Sequence, residues 1–184
     1  MMKVFHAGYD IISTPDIHRG RKNADFGQGF YLSDSYEFSS RWVRQKNGMD
    51  IIVNMYELDE EDLVIKRFDR DREWFSYVFS NRRAMPDSFE GTDMIIGPIA
   101  NDTIYNTMGM ITSGYLSDDE AVELLCVGPL YRQIVLKTQN AADHLKFISY
   151  EKLSGDSIEL NSKILRDEEE KYLKLFAEAM QRFL

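Results

Sequence analysis

Hydrophobic and polar residues alternate with two different periods along the chain, and the pattern predicts short strands interleaved with helices. Positions 51–58 alternate apolar and polar side chains, as a half-buried strand does. Trp74, Tyr77 and Val78 lie three and four residues apart, which is typical of a helix over 71–82. Further strands are predicted at 4–6, 30–33, 63–68, 94–96, 132–137 and 146–150, and further helices or helical turns at 35–46, 104–111 and 141–145, with a short helix that carries Val122, Leu124 and Leu125.

Polar signals mark the starts of two of these helices. Asp34 and Glu37 have the spacing of a capping box before the helix at 35–46, and Ser117 and Glu120 repeat that spacing further on. The strands and helices do not alternate regularly, as they would around a parallel sheet. The predicted fold class is therefore α+β.

The C-terminal segment differs in kind from the rest of the chain. Over 162–184, apolar residues such as Tyr172 and Phe176 recur at helical spacing and charged residues fill the other positions, which predicts an amphipathic helix. The chain is accordingly divided into a domain at 1–155 and a helical extension at 156–184. The helix either packs on its own domain or docks on a partner or a second copy, forming a homo-oligomer. Its acidic face argues against binding to a membrane surface.

Composition places the chain among globular proteins and excludes several classes of function. Of its 184 residues, 43% are hydrophobic and 29% are charged, and the net charge of −9 disfavours extensive nucleic-acid binding. The single cysteine and the widely spaced histidines favour neither a disulfide framework nor a metal site. Without a secretory leader or an apolar run of roughly 20 residues, the predicted compartment is the cytoplasm. Basic residues form either a local cleft or a solvated face at Arg19, Arg21, Lys22, Arg41, Arg44 and Lys46.

Three short segments carry candidate chemistry. The first ends the first strand with His6, Ala7 and Gly8; the second runs over 25–32; and the third places Gln133 in a late strand. Each has a structural explanation when taken singly: a strand-end histidine, a tight glycine turn and an edge-strand glutamine. The second segment and the helix after it contribute Gly27, Gly29, Tyr31, Ser39 and Trp42.

Taken together, these segments resemble the ADP-ribosyltransferase superfamily, in particular its His-Tyr-Glu branch, which includes the poly(ADP-ribose) polymerases and diphtheria toxin. In that branch a His-Gly pair ends one strand, a Gly-x-Gly-x-Tyr strand follows, and a helix then carries a serine and an aromatic residue. Tyr31, Ser39 and Trp42 have this order and spacing, and Gln133 stands in place of the family's glutamate. The layout over 6–150 also resembles a bacterial family of domains of unknown function, some of whose members look like toxins encoded beside a small antitoxin.

The resemblance implies a split mixed and antiparallel sheet core with flanking helices, and a cleft between the sheets that binds NAD without a metal. His6 would bond a ribose hydroxyl, the backbone of Ala7 beside Gly8 would bond the nicotinamide carboxamide, and Tyr31 would stack on the nicotinamide ring. Ser39 would hold the carboxamide oxygen. Trp42 either forms the other wall of the slot or packs with Phe38 as core. The glycine turn ending at Gly29 would precede the stacking tyrosine, and Arg21 and Lys22 would meet the pyrophosphate.

These roles imply a mono-ADP-ribosyltransferase that uses NAD to modify an unknown macromolecular acceptor, as the toxin of a toxin–antitoxin pair with a small antitoxin partner. The amide of Gln133 accepts a hydrogen bond but brings no charge and cannot act as a base. Two alternatives therefore stay open: an NAD glycohydrolase, and a weakly active or inactive module that binds NAD, ADP-ribose or a partner protein. Four polar residues either line the cleft or, as we favour, cap turns and pack: Asn81, Arg82, Asn101 and Asp102.

Overall fold

The computed structural model describes residues 1–101 and 116–183, and the protein has an α+β fold. The strands are β1 (Met2–Gly8), β2 (Phe30–Leu32), β3 (Ile52–Leu58), β4 (Ile65–Arg67), β5 (Met94–Pro98), β6 (Arg132–Leu136) and β7 (Leu145–Lys152). The α-helices are α1 (Tyr36–Trp42), α2 (Arg72–Arg82), α3 (Asp118–Leu125), α4 (Gln139–Asp143) and α5 (Gly155–Met180). The helix predicted at 104–111 and the residue Asp102 lie outside the described residues.

The strands form two sheets, which confirms the predicted split core. The first sheet has the order β1-β3-β7 and is antiparallel throughout. The second has the order β2-β6-β5-β4, in which β4 and β5 run parallel and the other neighbours run antiparallel. Both sheets are assembled from strands distant in sequence, so residues from remote segments meet at their junction.

The second sheet is the central layer of the molecule. Ile95 and Val135 belong to a core that it shares with α2, α3 and α5, whereas Ile96 and Ile134 belong to a core that it shares with the first sheet. This division follows from the two-residue period of a strand, which sends neighbouring side chains to opposite faces. Because Tyr31 pairs with Val135 in register, its side chain projects toward the helical layer.

The first helix starts and ends at different residues from those predicted. Its N-cap is Ser35, whose hydroxyl accepts a hydrogen bond from the amide of Phe38. The predicted cap, Asp34, instead forms an ion pair with Arg132 of β6, so its carboxylate is directed away from the helix. The helix ends at Trp42 rather than at residue 46, because Val43 is extended and packs in a small apolar cluster with Ile51 and Val53.

The C-terminal helix begins seven residues before the predicted start. Ser154 caps it by accepting a hydrogen bond from the amide of Ser157, and Gly155 is its first residue. Its predicted apolar face is buried in the chain's own core through Tyr172 and Phe176. The helix therefore packs on the body of its own chain, while the boundary between the two predicted domains stays a prediction. None of the helices within the described ranges is long and apolar enough to cross a membrane.

Candidate functional site

Among the described residues, one isolated bridge joins the two sheets, and the edge of β1 beyond this bridge pairs with no described strand. Phe5 and Ser33 exchange two backbone hydrogen bonds, with N–O distances of 2.8 and 3.0 Å. Since backbone groups alternate in direction along a strand, the N–H and C=O of Ala7 face the same side as those of Phe5. Ala7 lies beyond the end of this bridge, and neither group has a backbone partner on that side within the described chain. One donor and one acceptor are thus presented at the edge of the junction.

A cavity of about 460 Å³ opens at this junction. Its wall combines the end of β1, the loop before β2, β2 itself, α1, the end of α2 and the start of β6. The lining residues are Phe5, His6, Ala7, Arg21, Asn23, Ala24, Asp25, Tyr31, Leu32, Ser33, Phe38, Ser39, Trp42, Arg82, Ile99 and Gln133.

The structure brings most of the predicted site residues to this one cavity. The seven that line it are His6, Ala7, Arg21, Tyr31, Ser39, Trp42 and Gln133. Gly8, Lys22 and Gly29 are not among the lining residues. Gly29 has a structural reason to be glycine, because a Cβ there would lie 2.5 Å from the carbonyl oxygen of Leu136. Trp42 fits both interpretations of its role, since it lines the cavity and its ring contacts Phe38 at a centroid distance of 5.5 Å.

His6 is held in one orientation and one tautomer. Its Nδ1 lies 2.8 Å from the carbonyl oxygen of Tyr31, and its ring stacks on Phe30 at 4.6 Å. A carbonyl only accepts hydrogen bonds, so Nδ1 carries the proton and Nε2 of the neutral ring is an acceptor. Burial lowers the pKa of His6, an effect that the bond to the Tyr31 carbonyl partly opposes. The imidazole is therefore neutral at pH 7 and presents an acceptor at the cavity.

Low pH should therefore destabilise the protein through His6. Because burial places the folded-state pKa of His6 below the unfolded value of 6.5, the unfolded chain takes up a proton first. The free energy of unfolding is expected to fall as pH drops from 6.5 toward the folded-state pKa, and to be insensitive to this group above that window. The free energy of unfolding is measured by urea denaturation at about ten pH values between about 5 and 8. His6→Asn should flatten the decline, and His144→Asn, at a half-buried position outside the cavity, is the control for replacing an imidazole; equal profiles for the original protein and His6→Asn would contradict the assignment.

Tyr31 presents its ring while its hydroxyl is committed to the protein. The hydroxyl accepts a hydrogen bond from the amide of Phe26 at 3.0 Å and donates one to the carbonyl of Gly27 at 2.7 Å. Burial raises the pKa of Tyr31 well above its usual value, so the hydroxyl stays protonated and does not act as a base. Gly27, with φ at +73°, permits the turn that places these two backbone groups beside the hydroxyl. What Tyr31 offers to the cavity is an aromatic face.

Gln133 is a buried polar residue with a fixed amide orientation. Its side chain is only 7% exposed, and its Nε2 donates a hydrogen bond to the carbonyl of Pro98 at 3.3 Å. Because that carbonyl requires a donor, Oε1 is the amide atom left to accept a bond from a ligand. Gln133 and Val135 are two residues apart in β6, so the amide shares a face of the sheet with the ring of Tyr31.

An ion pair that the sequence did not single out forms part of the cavity wall. Arg82 Nε lies 2.9 Å from a carboxylate oxygen of Asp25, and both side chains are about nine-tenths buried. Asn81 holds the same loop by donating a hydrogen bond to the carbonyl of Asp25 at 3.2 Å. Arg82 thus packs in a buried ion pair, as favoured, and it also lines the cavity, whereas Asn81 is not among the lining residues. Asn101 binds the carbonyls of Val127 and Pro129 and packs as expected.

Removing the cation of this pair should be costly. Arg82→Met leaves the carboxylate of Asp25 buried without its partner, and we expect a loss of about 3 kcal/mol in the free energy of unfolding. Arg67→Met is the matched control, because its pair with Glu60 is exposed and should contribute no more than about 1 kcal/mol. Urea denaturation of the two variants measures the difference. Equal losses would show that the buried pair has no special weight.

Comparison with known proteins adds a family to this description. The family model described as "Protein of unknown function (DUF3990)" matches residues 2–147, which include every residue lining the cavity. No curated protein matches the chain, and no solved structure does. Since the matched segment covers most of the chain, the protein belongs to this family of proteins of unknown function.

Proposed function

We propose that the protein is a mono-ADP-ribosyltransferase of the ADP-ribosyltransferase-like kind, which uses NAD as co-substrate and transfers one ADP-ribose unit to a macromolecule. The observation that carries this proposal is the meeting of His6, Tyr31 and Gln133, from three remote segments, on one cavity. These are the three positions at which the sequence resembles the family's signature. Their backbone settings support the roles that the resemblance implies.

The cavity is chemically suited to a nicotinamide group. A carboxamide needs one acceptor and one donor, which the free C=O and N–H of Ala7 would supply. The hydroxyl of Ser39, a residue 4% exposed on α1, lies on the same cavity wall. The ring of Tyr31 provides an aromatic surface, a contact that contributes about 0.5–1.5 kcal/mol beyond area burial.

Two acceptors would bind the hydroxyls of the adjoining ribose. They are Nε2 of His6 and Oε1 of Gln133. The ring of His6 is oriented because Nδ1 donates to the carbonyl of Tyr31, and the amide of Gln133 is oriented because Nε2 donates to the carbonyl of Pro98. When the bond between nicotinamide and ribose breaks, positive charge develops at the anomeric carbon, as in glycoside hydrolysis. A fixed amide dipole stabilises such a charge without reorganising. Because Gln133 cannot remove a proton, transfer of a single unit is favoured over chain elongation.

A module that binds NAD or ADP-ribose without cleaving it is the second candidate. It is favoured by the absence of an unpaired carboxylate from the described lining of the cavity: the one carboxylate there, Asp25, is paired with Arg82. Without such a charge, cleavage is slow or does not occur. Water as the acceptor would make the same site a glycohydrolase.

One experiment separates these functions. The purified protein is incubated with NAD and a whole-cell extract, and nicotinamide release is measured beside label transfer from NAD to protein and to nucleic acid. Tyr31→Ala removes the stacking ring, and Tyr150→Ala, on an exposed strand position outside the cavity, is the matched control. Release with transfer, lost in Tyr31→Ala alone, supports the transferase.

The remaining outcomes favour the alternatives or overturn the site. Release without transfer identifies a glycohydrolase. When nothing is released, calorimetric titration with NAD decides: binding that Tyr31→Ala abolishes identifies a binding module. The proposed function would be overturned if the protein neither released nicotinamide nor bound NAD.

A further inference from the structure

A second groove adjoins the cavity and extends beyond the residues to which the resemblance gives a role in NAD binding. It has a volume of about 470 Å³ and shares part of its wall with the first cavity through Arg21, Phe38 and Trp42. Its other lining residues come from α1 and the segment after it, the segment before β6, and the C-terminal helix: Arg41, Arg44, Tyr131, Leu165 and Glu168. A ligand in this groove would lie next to whatever occupies the cavity.

The groove is locally basic in an acidic protein. It carries three arginines and one glutamate, whereas the whole chain has a net charge of −9. Glu168 offsets one of these charges, since its carboxylate lies 3.2 Å from Arg41 and accepts a hydrogen bond from Tyr131 at 3.0 Å. Arg21 and Arg44 are exposed and have no ion pair within residues 1–101 and 116–183. Arg44 is thus left to bind an anionic ligand, and Arg21, which would also meet the pyrophosphate of NAD, adds its charge at the shared wall.

An exposed aromatic side chain lies among these arginines. Trp42 is 43% exposed, although indole rings are usually buried, and it continues a row in which Phe38 stacks on Tyr131 at 4.4 Å. Arginines that bind phosphates beside an aromatic surface that stacks a base are the usual means of binding a single strand of nucleic acid. An acidic peptide would satisfy the arginines and leave the indole unused.

We propose that this groove binds a short single-stranded segment of nucleic acid, which is the acceptor of the ADP-ribose unit. The identity of the segment as acceptor rests on the proposed function, whereas the binding itself does not. The negative charge of the rest of the surface restricts the contact to a few nucleotides and disfavours a long duplex. Because Leu165 and Glu168 lie beyond the matched residues 2–147, part of the acceptor site is supplied by the C-terminal helix rather than by the family domain.

Fluorescence anisotropy with a labelled thymidine oligonucleotide of about twelve nucleotides, at low salt and without NAD, tests the binding. Trp42→Ala should weaken binding about tenfold through loss of base stacking, and Arg44→Glu should weaken it by a similar factor and reduce its salt dependence. Arg67→Glu, with the same change of charge on β4 outside the groove, is the control and should have little effect.

Glu168→Gln distinguishes a ligand site from a merely structural cluster. It removes the charge that offsets Arg41 while keeping an acceptor for Tyr131, so oligonucleotide binding should tighten about threefold. A variant that only disturbed the packing of α5 would weaken binding or leave it unchanged. Tighter binding in Glu168→Gln together with weaker binding in Arg44→Glu supports the proposal.

Three results would overturn it. They are no measurable oligonucleotide binding, equal effects of Arg44→Glu and Arg67→Glu, and equally effective competition by a polyglutamate peptide, which would show that the groove takes acidic protein instead. The anisotropy assay contains no NAD. If the oligonucleotide does not bind while the protein still releases nicotinamide from NAD, only the acceptor site is rejected. Oligonucleotide binding without any NAD cleavage rejects the transferase and leaves the binding groove.

Discussion

Replacement of Tyr31 by alanine is expected to slow nicotinamide release from NAD about a hundredfold. The change removes both the apolar area of the ring and its stacking contact, together about 3 kcal/mol, and each 1.36 kcal/mol corresponds to a factor of ten in rate. The measurement is kcat/KM for nicotinamide release, with folding verified by urea denaturation. Tyr31 also holds the loop before β2 through its hydroxyl, so a second variant is needed to separate the ring from that contact.

Tyr31→Phe is that variant. It keeps the aromatic face and leaves the amide of Phe26 and the carbonyl of Gly27 without their partner, which should cost about 1–3 kcal/mol of stability. Release should stay within a few fold of the original rate. If Tyr31→Phe instead slowed release as much as Tyr31→Ala, the hydroxyl and its loop would be the functional element, and stacking would not explain the site.

Local periodicity was sufficient for most of the fold. The strand at 51–58 and the helix at 71–82 were predicted within one residue of β3 and α2, because each has a regular apolar pattern that tertiary packing reinforces. The capping box of Ser117 and Glu120 is present with both of its hydrogen bonds. In such segments local preference and the final environment agree.

The errors occur where a distant partner decides between two local solutions. Asp34 has the right spacing for a cap, but the cation of Arg132, 98 residues away in sequence, engages its carboxylate and leaves the cap to Ser35. The C-terminal helix was predicted from residue 162, yet its first residue is Gly155. Its first turns are held by distant contacts, because Ile158 packs against the cluster of Ile51 and Val53 and Asn161 donates a hydrogen bond to the carbonyl of Ser40.

The site shows the same division between local signals and tertiary contacts. The sequence pattern around Tyr31 identified residues that line one cavity, because the strand and the turn that position them are formed by local sequence. The pair of Asp25 and Arg82 was missed, since a loop carboxylate and a helix-end arginine carry no shared spacing. The available signal was the pair of adjacent polar residues Asn81 and Arg82 at the end of α2, both of which bind Asp25.

Gln133→Glu should convert the site into one whose rate depends on pH. A carboxylate accepts a stronger hydrogen bond than an amide and brings the charge that offsets positive charge at the anomeric carbon, which we expect to raise the release rate about tenfold. Two features disfavour the ionised form of the introduced carboxyl. The side chain at this position is only 7% exposed, and the carbonyl oxygen of Pro98, to which the amide donates at 3.3 Å, would face the carboxylate. The pKa of the introduced carboxyl is therefore raised, and the rate should increase with pH until that group is ionised.

The rate of nicotinamide release is measured at about six pH values between about 6.5 and 9 for the original protein, Gln133→Glu and Gln133→Ala. The original protein has an amide that does not titrate and should be nearly constant over this range, while Gln133→Ala, which lacks the acceptor, should be slowest, by about a hundredfold. Both variants lose the bond to Pro98 and should be less stable by about 1 kcal/mol, because the Pro98 carbonyl keeps its hydrogen bond from the indole N–H of Trp74. A Gln133→Glu variant slower than the original protein at every pH would mean that donation to Pro98 is the function of this side chain. The binding module would then be the better account of the cavity, because an amide selected to hold a strand has no part in cleaving NAD.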